Sequence, residues 1–188
     1  MMAGMEIEPG HLLVATPELR DPNFARTVVL MVDADPDGAV GVILNRPTDV
    51  LVGGVLAPWQ QRVGEPPVLF EGGPVSSQAA LAVGLLRDAG DVPVGFHAFH
   101  GRLGLLDLDT PGELVEGTLS GLRIFAGYAG WGADQLELEI AEGSWYVVPA
   151  LRADIFRSSV ATLWNDVLRR QPGHLAWQST RPADPELN

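Results

Sequence analysis

The sequence predicts a mixed α/β domain. Three observations carry this: the β-branched runs are short, segments with helical spacing lie between them, and a cluster of turn formers joins the two clearest strands. Leu12 to Ala15 is the first expected strand. Val28 to Val32 is the plainest; it meets Asp33-Ala-Asp-Pro-Asp-Gly38, after which Ala39 to Leu44 resumes the apolar run, so the pieces read as a hairpin. A helix is expected over Val50 to Gln61. Strands follow at Val68 to Phe70, Ala80 to Leu86 and Leu103 to Leu108, then a helix at Glu113 to Leu119 and a strand at Arg123 to Tyr128. Ala133 to Glu142 is expected as a helix and Ser144 to Val148 as a strand. From Asp154 through Arg170, Ile155, Val160, Leu163, Trp164, Val167 and Leu168 recur at three- and four-residue spacing, an apolar stripe able to cover a sheet face.

Composition narrows the function. The chain has 188 residues, 46% hydrophobic and 19% charged, enough to bury roughly 70% of its unfolded surface without a staple. It has no Cys, which excludes a thiol nucleophile, a thiolate metal site and a disulfide switch, and which fits a reducing cytoplasm. It has no Lys either, so Schiff-base chemistry and a P-loop lysine are excluded. Asp and Glu number 24 against 12 Arg, a net charge of −12 that repels nucleic-acid backbones and anionic lipid. The longest uncharged run, Gly72 to Leu86, is broken by Gly-Gly-Pro, two Ser and a Gln, so no membrane helix is expected. Residues 1–9 lack the features of a secretory signal and are expected as a flexible N-terminus. Residues 10–170 are expected as one domain, and 171–188, with three Pro and little periodicity, as a loose tail.

Asp33-x-Asp35-x-Asp37-Gly38 imitates the start of a calcium loop, but Leu44 stands where such a loop needs a bidentate Glu, so a solvated turn is expected. His97-x-x-His100, with Asp107 and Asp109 nearby, has weak metal-ligand spacing, and ring packing is the expected role; no metal and no cofactor are predicted. Ser76-Ser77 follows a Gly-Gly-Pro turn and has no nearby His to act as base. Gly127-Tyr-Ala-Gly130-Trp131-Gly132-Ala-Asp-Gln135 joins an expected strand to an expected helix. Such a junction can meet an anion with free N–H groups, or simply allow close backbone approach; its spacing matches no nucleotide motif. Arg26 and Asn45-Arg46 lie toward one end of the hairpin, and the two guanidinium groups are candidates for a carboxylate or phosphate, or for internal ion pairs.

Taken in order, Gly10-x-Leu-Leu-Val-Ala-x-Pro17, Asp21-Pro-x-Phe24-x-Arg-Thr-Val-Val-Leu30, Gly41-Val-Ile-Leu-Asn-Arg-Pro47, Gly72-Gly-Pro-Val75 and Gly127-Tyr-Ala-Gly-Trp-Gly132 with Gln135-Leu-Glu-x-Glu-Ile140 resemble the AlgH (YqgE-like) family of bacterial proteins. Trp145, Ile155-Phe156 and Trp164 extend the likeness over most of the chain. The resemblance implies an α/β fold with a mixed, barrel-like sheet and packed helices in a cytosolic protein. It implies little chemistry: the family carries a transcriptional-regulator label from alginate control in one branch, and a redox role suggested for relatives would need a Cys that this chain lacks.

Three functions compete. The first is a non-enzymatic regulatory or adaptor protein that binds a protein or small ligand. The second is an enzyme acting on an anionic small molecule where Arg26, Asn45, Arg46, Gly72, Gly73 and the segment bearing Gly130, Trp131, Gly132 and Gln135 converge. Direct DNA binding is the third, and the net charge works against it.

Overall fold

The structure, a computed structural model, describes residues 6–183. Among these, ten strands form one sheet: β1 (His11–Ala15), β2 (Val28–Asp35), β3 (Gly38–Ile43), β4 (Pro47–Leu51), β5 (Val68–Glu71), β6 (Val75–Leu86), β7 (Phe96–His100), β8 (Leu103–Leu106), β9 (Leu119–Gly132) and β10 (Trp145–Pro149). Five short helices flank it: α1 (Val52–Val55), α2 (Gln135–Ala141), α3 (Arg152–Phe156), α4 (Leu163–Arg169) and α5 (Leu175–Gln178). None is long and apolar enough to cross a membrane.

The strand order β10-β1-β2-β3-β9-β6-β8-β7 curls into a half-barrel that is antiparallel except where β5 runs parallel to β9. Both faces of the central strands are covered, which is why they read as continuous apolar runs. Leu12, Val14, Leu30 and Val42 face a core closed by Ile155 of α3 and Leu163, Trp164 and Val167 of α4. Their alternates Leu13, Val29, Met31 and Ile43 face a second core closed by Leu136 of α2. Strand β9 serves both, because its alternation changes phase at Gly127: Phe125 lies in the first core, whereas Ala129 and Trp131 lie in the second. Gly127 sits at φ +72°, the left-handed conformation of a bulge residue, and the β6 partner bulges between Val75 and Ala80.

Several expected elements differ. Val50 to Gln61 is not one helix: Val50 and Leu51 end β4, Gly53-Gly54 hold α1 to a single turn, and Pro58 lies in the 3-10 turn Ala57–Trp59. Glu113 to Leu119 is a 3-10 turn, Gly112–Leu114, leading into β9. The expected helix from Asp154 to Arg170 is two. They part at Arg157–Thr162, where the Arg157 guanidinium donates to the Ser159 carbonyl and Thr162 Oγ1 and pairs with Asp166 at 3.0 Å. Residues 171–183 are not a loose tail. They carry α5 against α4, and Asn165 Nδ2 donates to the Ser179 carbonyl at 2.7 Å. Residues 1–5 and 184–188 of the two expected ends lie outside the described residues.

Two buried charged contacts hold α3 in place, one to the sheet and one to the end of α4. Arg123 of β9, 2% exposed, stacks on Phe70 at 4.3 Å and donates to the carbonyls of Ile155, Arg157 and Glu65 at 2.8–3.0 Å. Burial lowers its pKa to about 10, so it stays a cation at neutral pH. Asp154 of α3, 3% exposed, accepts two bonds from Arg170 at 2.6 Å and one from the Leu151 N–H at 2.7 Å. Removing Arg170 strands that carboxylate. Arg170→Ala is therefore expected to lower the unfolding free energy in urea by about 3 kcal/mol, whereas Arg169→Ala, whose pair with Asp166 is exposed, should cost under about 0.5 kcal/mol.

Candidate functional site

Arg26, Asn45 and Arg46 do meet at one end of the hairpin, and they are occupied there in building the turn between β1 and β2. Asn45 bridges it: its Oδ1 accepts from the Val28 N–H at 3.0 Å and its Nδ2 donates to the Arg26 carbonyl at 2.9 Å. Arg46 donates to the carbonyls of Asn23 (2.6 Å), Pro22 (2.9 Å) and Ala25 (3.5 Å). The internal partners of Arg46 are thus carbonyls, and not the acid of the internal ion pair that was one of its two readings. Arg26 differs. At φ +56° it lays its guanidinium over the Trp164 ring, 4.0 Å from the centroid, and among the described residues gives one side-chain hydrogen bond, to the Arg181 carbonyl at 3.0 Å. Burial pulls its pKa below the usual arginine value.

Gly72 and Gly73 also meet the Gly127 segment, through backbone alone. A Cβ on Gly72 would stand 2.2 Å from the Gly127 oxygen, and one on Gly73 2.2 Å from the Tyr128 carbonyl. The crossing leaves no room for a ligand between them. Beyond it, Trp131 and Trp145 stack edge to face with centroids 6.0 Å apart, and both indole N–H groups donate at 2.9 Å to one oxygen of Glu139. Gln135 completes the array: its Nε2 donates to the other Glu139 oxygen at 3.1 Å, and its Oε1 accepts from the Gly132 N–H at 3.0 Å. Gly130 packs beside the Tyr128 ring. Here too the polar groups are satisfied within the fold.

Two clefts border these residues and differ in charge. A cleft of about 320 Å³ beside Gly132 and α2 is lined by Glu6, Asp35, Asp134 and Glu137, with no basic residue. An anion near the Gly127–Gln135 segment would meet four carboxylates, and the close backbone approach of its glycines matches the other reading of that segment. A cleft of about 780 Å³ runs between the 17–26 turn and residues 180–183, and Glu18, Arg20, Arg26 and Arg181 are the charged residues among those described that line it. Arg181 pairs with Glu18 at 3.1 Å, both well exposed. The Tyr146 phenol nearby is pushed above its usual pKa by burial and then by the Glu18 carboxylate, while Arg181 opposes the shift. Arg20 and Arg181 were missed in the sequence because they sit outside the motifs and come together only when α5 folds back.

The remaining motifs are placed plainly. Asp35 Oδ1 accepts from the N–H groups of Asp37 and Gly38 at 2.7 and 3.2 Å, forming the hairpin turn. His97 and His100 lie on β7, the His100 ring covering Gly10. Among the described residues, no group of three or more His, Asp or Glu side chains converges as a metal site.

Residues 12–176 match the family model described as AlgH-like, DUF179. The chain belongs to the AlgH-like family. Among its curated relatives are UPF0301 proteins of Streptomyces avermitilis, 52% identical, and Streptomyces coelicolor, 51% identical, each aligned over 95% of this chain and 94% of the relative. A crystal structure of a Corynebacterium diphtheriae protein, 36% identical, superposes with a TM-score of 0.89 over 94% of both chains. The solution structure of the AlgH protein from Pseudomonas aeruginosa, 24% identical, shares the fold with a TM-score of 0.69 over 97% of this chain and 98% of that one. The AlgH-like motif ending in Gln135-Leu-Glu-x-Glu139 therefore holds the carboxylate that joins Trp131 to Trp145.

Two substitutions test these structural roles. Arg46→Ala frees the carbonyls of the 22–25 turn and should cost about 2 kcal/mol of unfolding free energy, with faster amide exchange confined to residues 21–28. Glu139→Ala leaves two indole donors buried without an acceptor and should cost about 2–4 kcal/mol. Glu139→Gln, which keeps an acceptor oxygen, should cost less than half as much and leave the tryptophan emission near its wild-type maximum.

Proposed function

We propose that this AlgH-like protein is a non-enzymatic regulatory or adaptor protein of the cytosol, and that it acts by binding a small anionic ligand in the cleft above Trp164. One observation carries the reading: in an acidic chain, the described residues lining a cleft of about 780 Å³, a size that suits a small molecule, include three arginines and one carboxylate. Arg26 supports it further, because its guanidinium is stacked and oriented by Trp164 while engaging one carbonyl. The same cleft reaches α5 and the 17–26 turn, so a ligand that bridges them would alter the outer surface a partner meets. Duplex DNA is a poor partner for this charge distribution.

Thermal melting in the presence of small carboxylates and phosphates tests the proposal. A ligand at a hundredfold its Kd should add about 2.7 kcal/mol, a rise of roughly 5 °C or more for a chain of this size. The rise should vanish in the Arg20→Gln, Arg181→Gln double variant, and the ligand should be recovered unchanged. No shift with any anion, chemical turnover of the ligand, or salt-sensitive submicromolar binding of duplex DNA would each count against the reading.

A further inference from the structure

We infer that the ligand of this cleft is an organic carboxylate with an apolar body, and that Glu18 is a built-in competitor which it displaces from Arg181. The inference rests on the cleft reading above. Glu18 already presents a carboxylate to Arg181 at 3.1 Å, so the chain itself displays the chemistry the site accepts. The pair is weakly held, with the two side chains 67% and 53% exposed, and a carboxylate arriving from solvent has little to overcome. The neighbouring Arg26 offers the rest of the recognition. Its ring-facing surface is covered by Trp164 and one of its edges is given to the Arg181 carbonyl, and this is its one acceptor among the described residues. A planar carboxylate matches a fixed guanidinium edge. Pro17, Leu19, Ala25 and Pro182 line the same cleft, and their apolar surface favours a carbon body over inorganic phosphate.

The Trp164 indole N–H, which donates to the Ala15 carbonyl at 2.8 Å directly beneath Arg26, supplies a local reporter. The chain has five tryptophans, so its indole resonance can be followed in a ¹H–¹⁵N spectrum and assigned with Trp164→Phe. Hexanoate, acetate and inorganic phosphate would be titrated into the full chain and into Glu18→Gln. Hexanoate should shift the Trp164 resonance, at least about tenfold more tightly than acetate or phosphate, and Glu18→Gln should tighten it by about threefold or more. Arg26→Lys, which keeps the charge but not the planar edge, should weaken it. If hexanoate binds the wild type and Glu18→Gln with equal Kd, the competitor role fails while the cleft reading stands. If phosphate binds as well as hexanoate, the carboxylate assignment fails alone. If neither protein responds to any of the three at millimolar concentration, the cleft reading falls with the inference. Binding seen in Glu18→Gln and not in the wild type supports the competitor role.

Discussion

Backbone lying directly on backbone, with no side chain between, is the constraint from which the architecture follows. Gly72 donates its N–H to the Ala126 carbonyl and accepts from the Ile43 N–H, both at 2.9 Å, so one residue ties β5, β9 and β3 together. Any Cβ there would collide with Gly127. The same crossing lets β9 exchange its neighbour β5 for β3, and the left-handed Gly127 turns the strand's side chains over as it does so. Phe125 and Arg123 are thereby committed to the core under α3 and α4, and Trp131 to the core under α2. Without that change of phase Trp131, six residues after Phe125, would lie on the same face of the sheet as Phe125 and could not reach the core under α2.

Arginine is the second organising element. Arg46, Arg87, Arg102 and Arg123 each donate to two or more backbone carbonyls in turns and strand ends, although acids outnumber arginines two to one. Irregular backbone has carbonyls without N–H partners, and a planar guanidinium satisfies several at once while only one ion is desolvated. An internal ion pair would desolvate two. Asp154 with Arg170 is the buried exception, and its extra bond from the Leu151 N–H helps to offset that cost.

The legible parts of the sequence were those in which local pattern and tertiary context agree. The hairpin of Val28 to Val32 and the following strand stands as read, since a run buried on both faces and an Asx-type turn each leave a local mark. The turn itself is only Pro36–Asp37: β2 runs on through Asp35, paired with Gly38, so the rest of the Asp33–Gly38 cluster is strand. Helix lengths were overestimated. The stripe from Ile155 to Leu168 is apolar throughout, yet Arg157, Thr162 and Asp166 form a polar network that breaks the helix, and spacing alone does not show which side chains will meet. At the candidate site the glycines and the hairpin-end residues were rightly singled out as neighbours, but their use in the fold was hidden. A glycine chosen for backbone crossing and one chosen for anion contact look identical in sequence. Trp164 stands in the sequence as part of a packed stripe and of the family resemblance, and its role as the platform under Arg26 depends on the turn that brings the two, 138 residues apart in the chain, into contact.

The charge of the whole and the charge of the cleft act over different distances, which reconciles the proposed anion site with an acidic protein. Exposed charges are screened beyond about 8–10 Å at physiological salt. A small ligand inside the cleft therefore responds to Arg20, Arg26, Arg181 and Glu18, and hardly to the acids scattered elsewhere. An extended polyanion spans many such distances and meets the net charge of −12. The second cleft follows the same logic with the opposite sign, since Glu6, Asp35, Asp134 and Glu137 are too close to one another to be screened apart. The helices α2 and α4 cover opposite faces of the sheet, as the alternating residues of β1 and β2 require, and each face carries its own cleft. The charge lining each cleft thus differs between the two faces, and only the cleft on the face bearing Trp164 has the arginines that the proposed anion would meet.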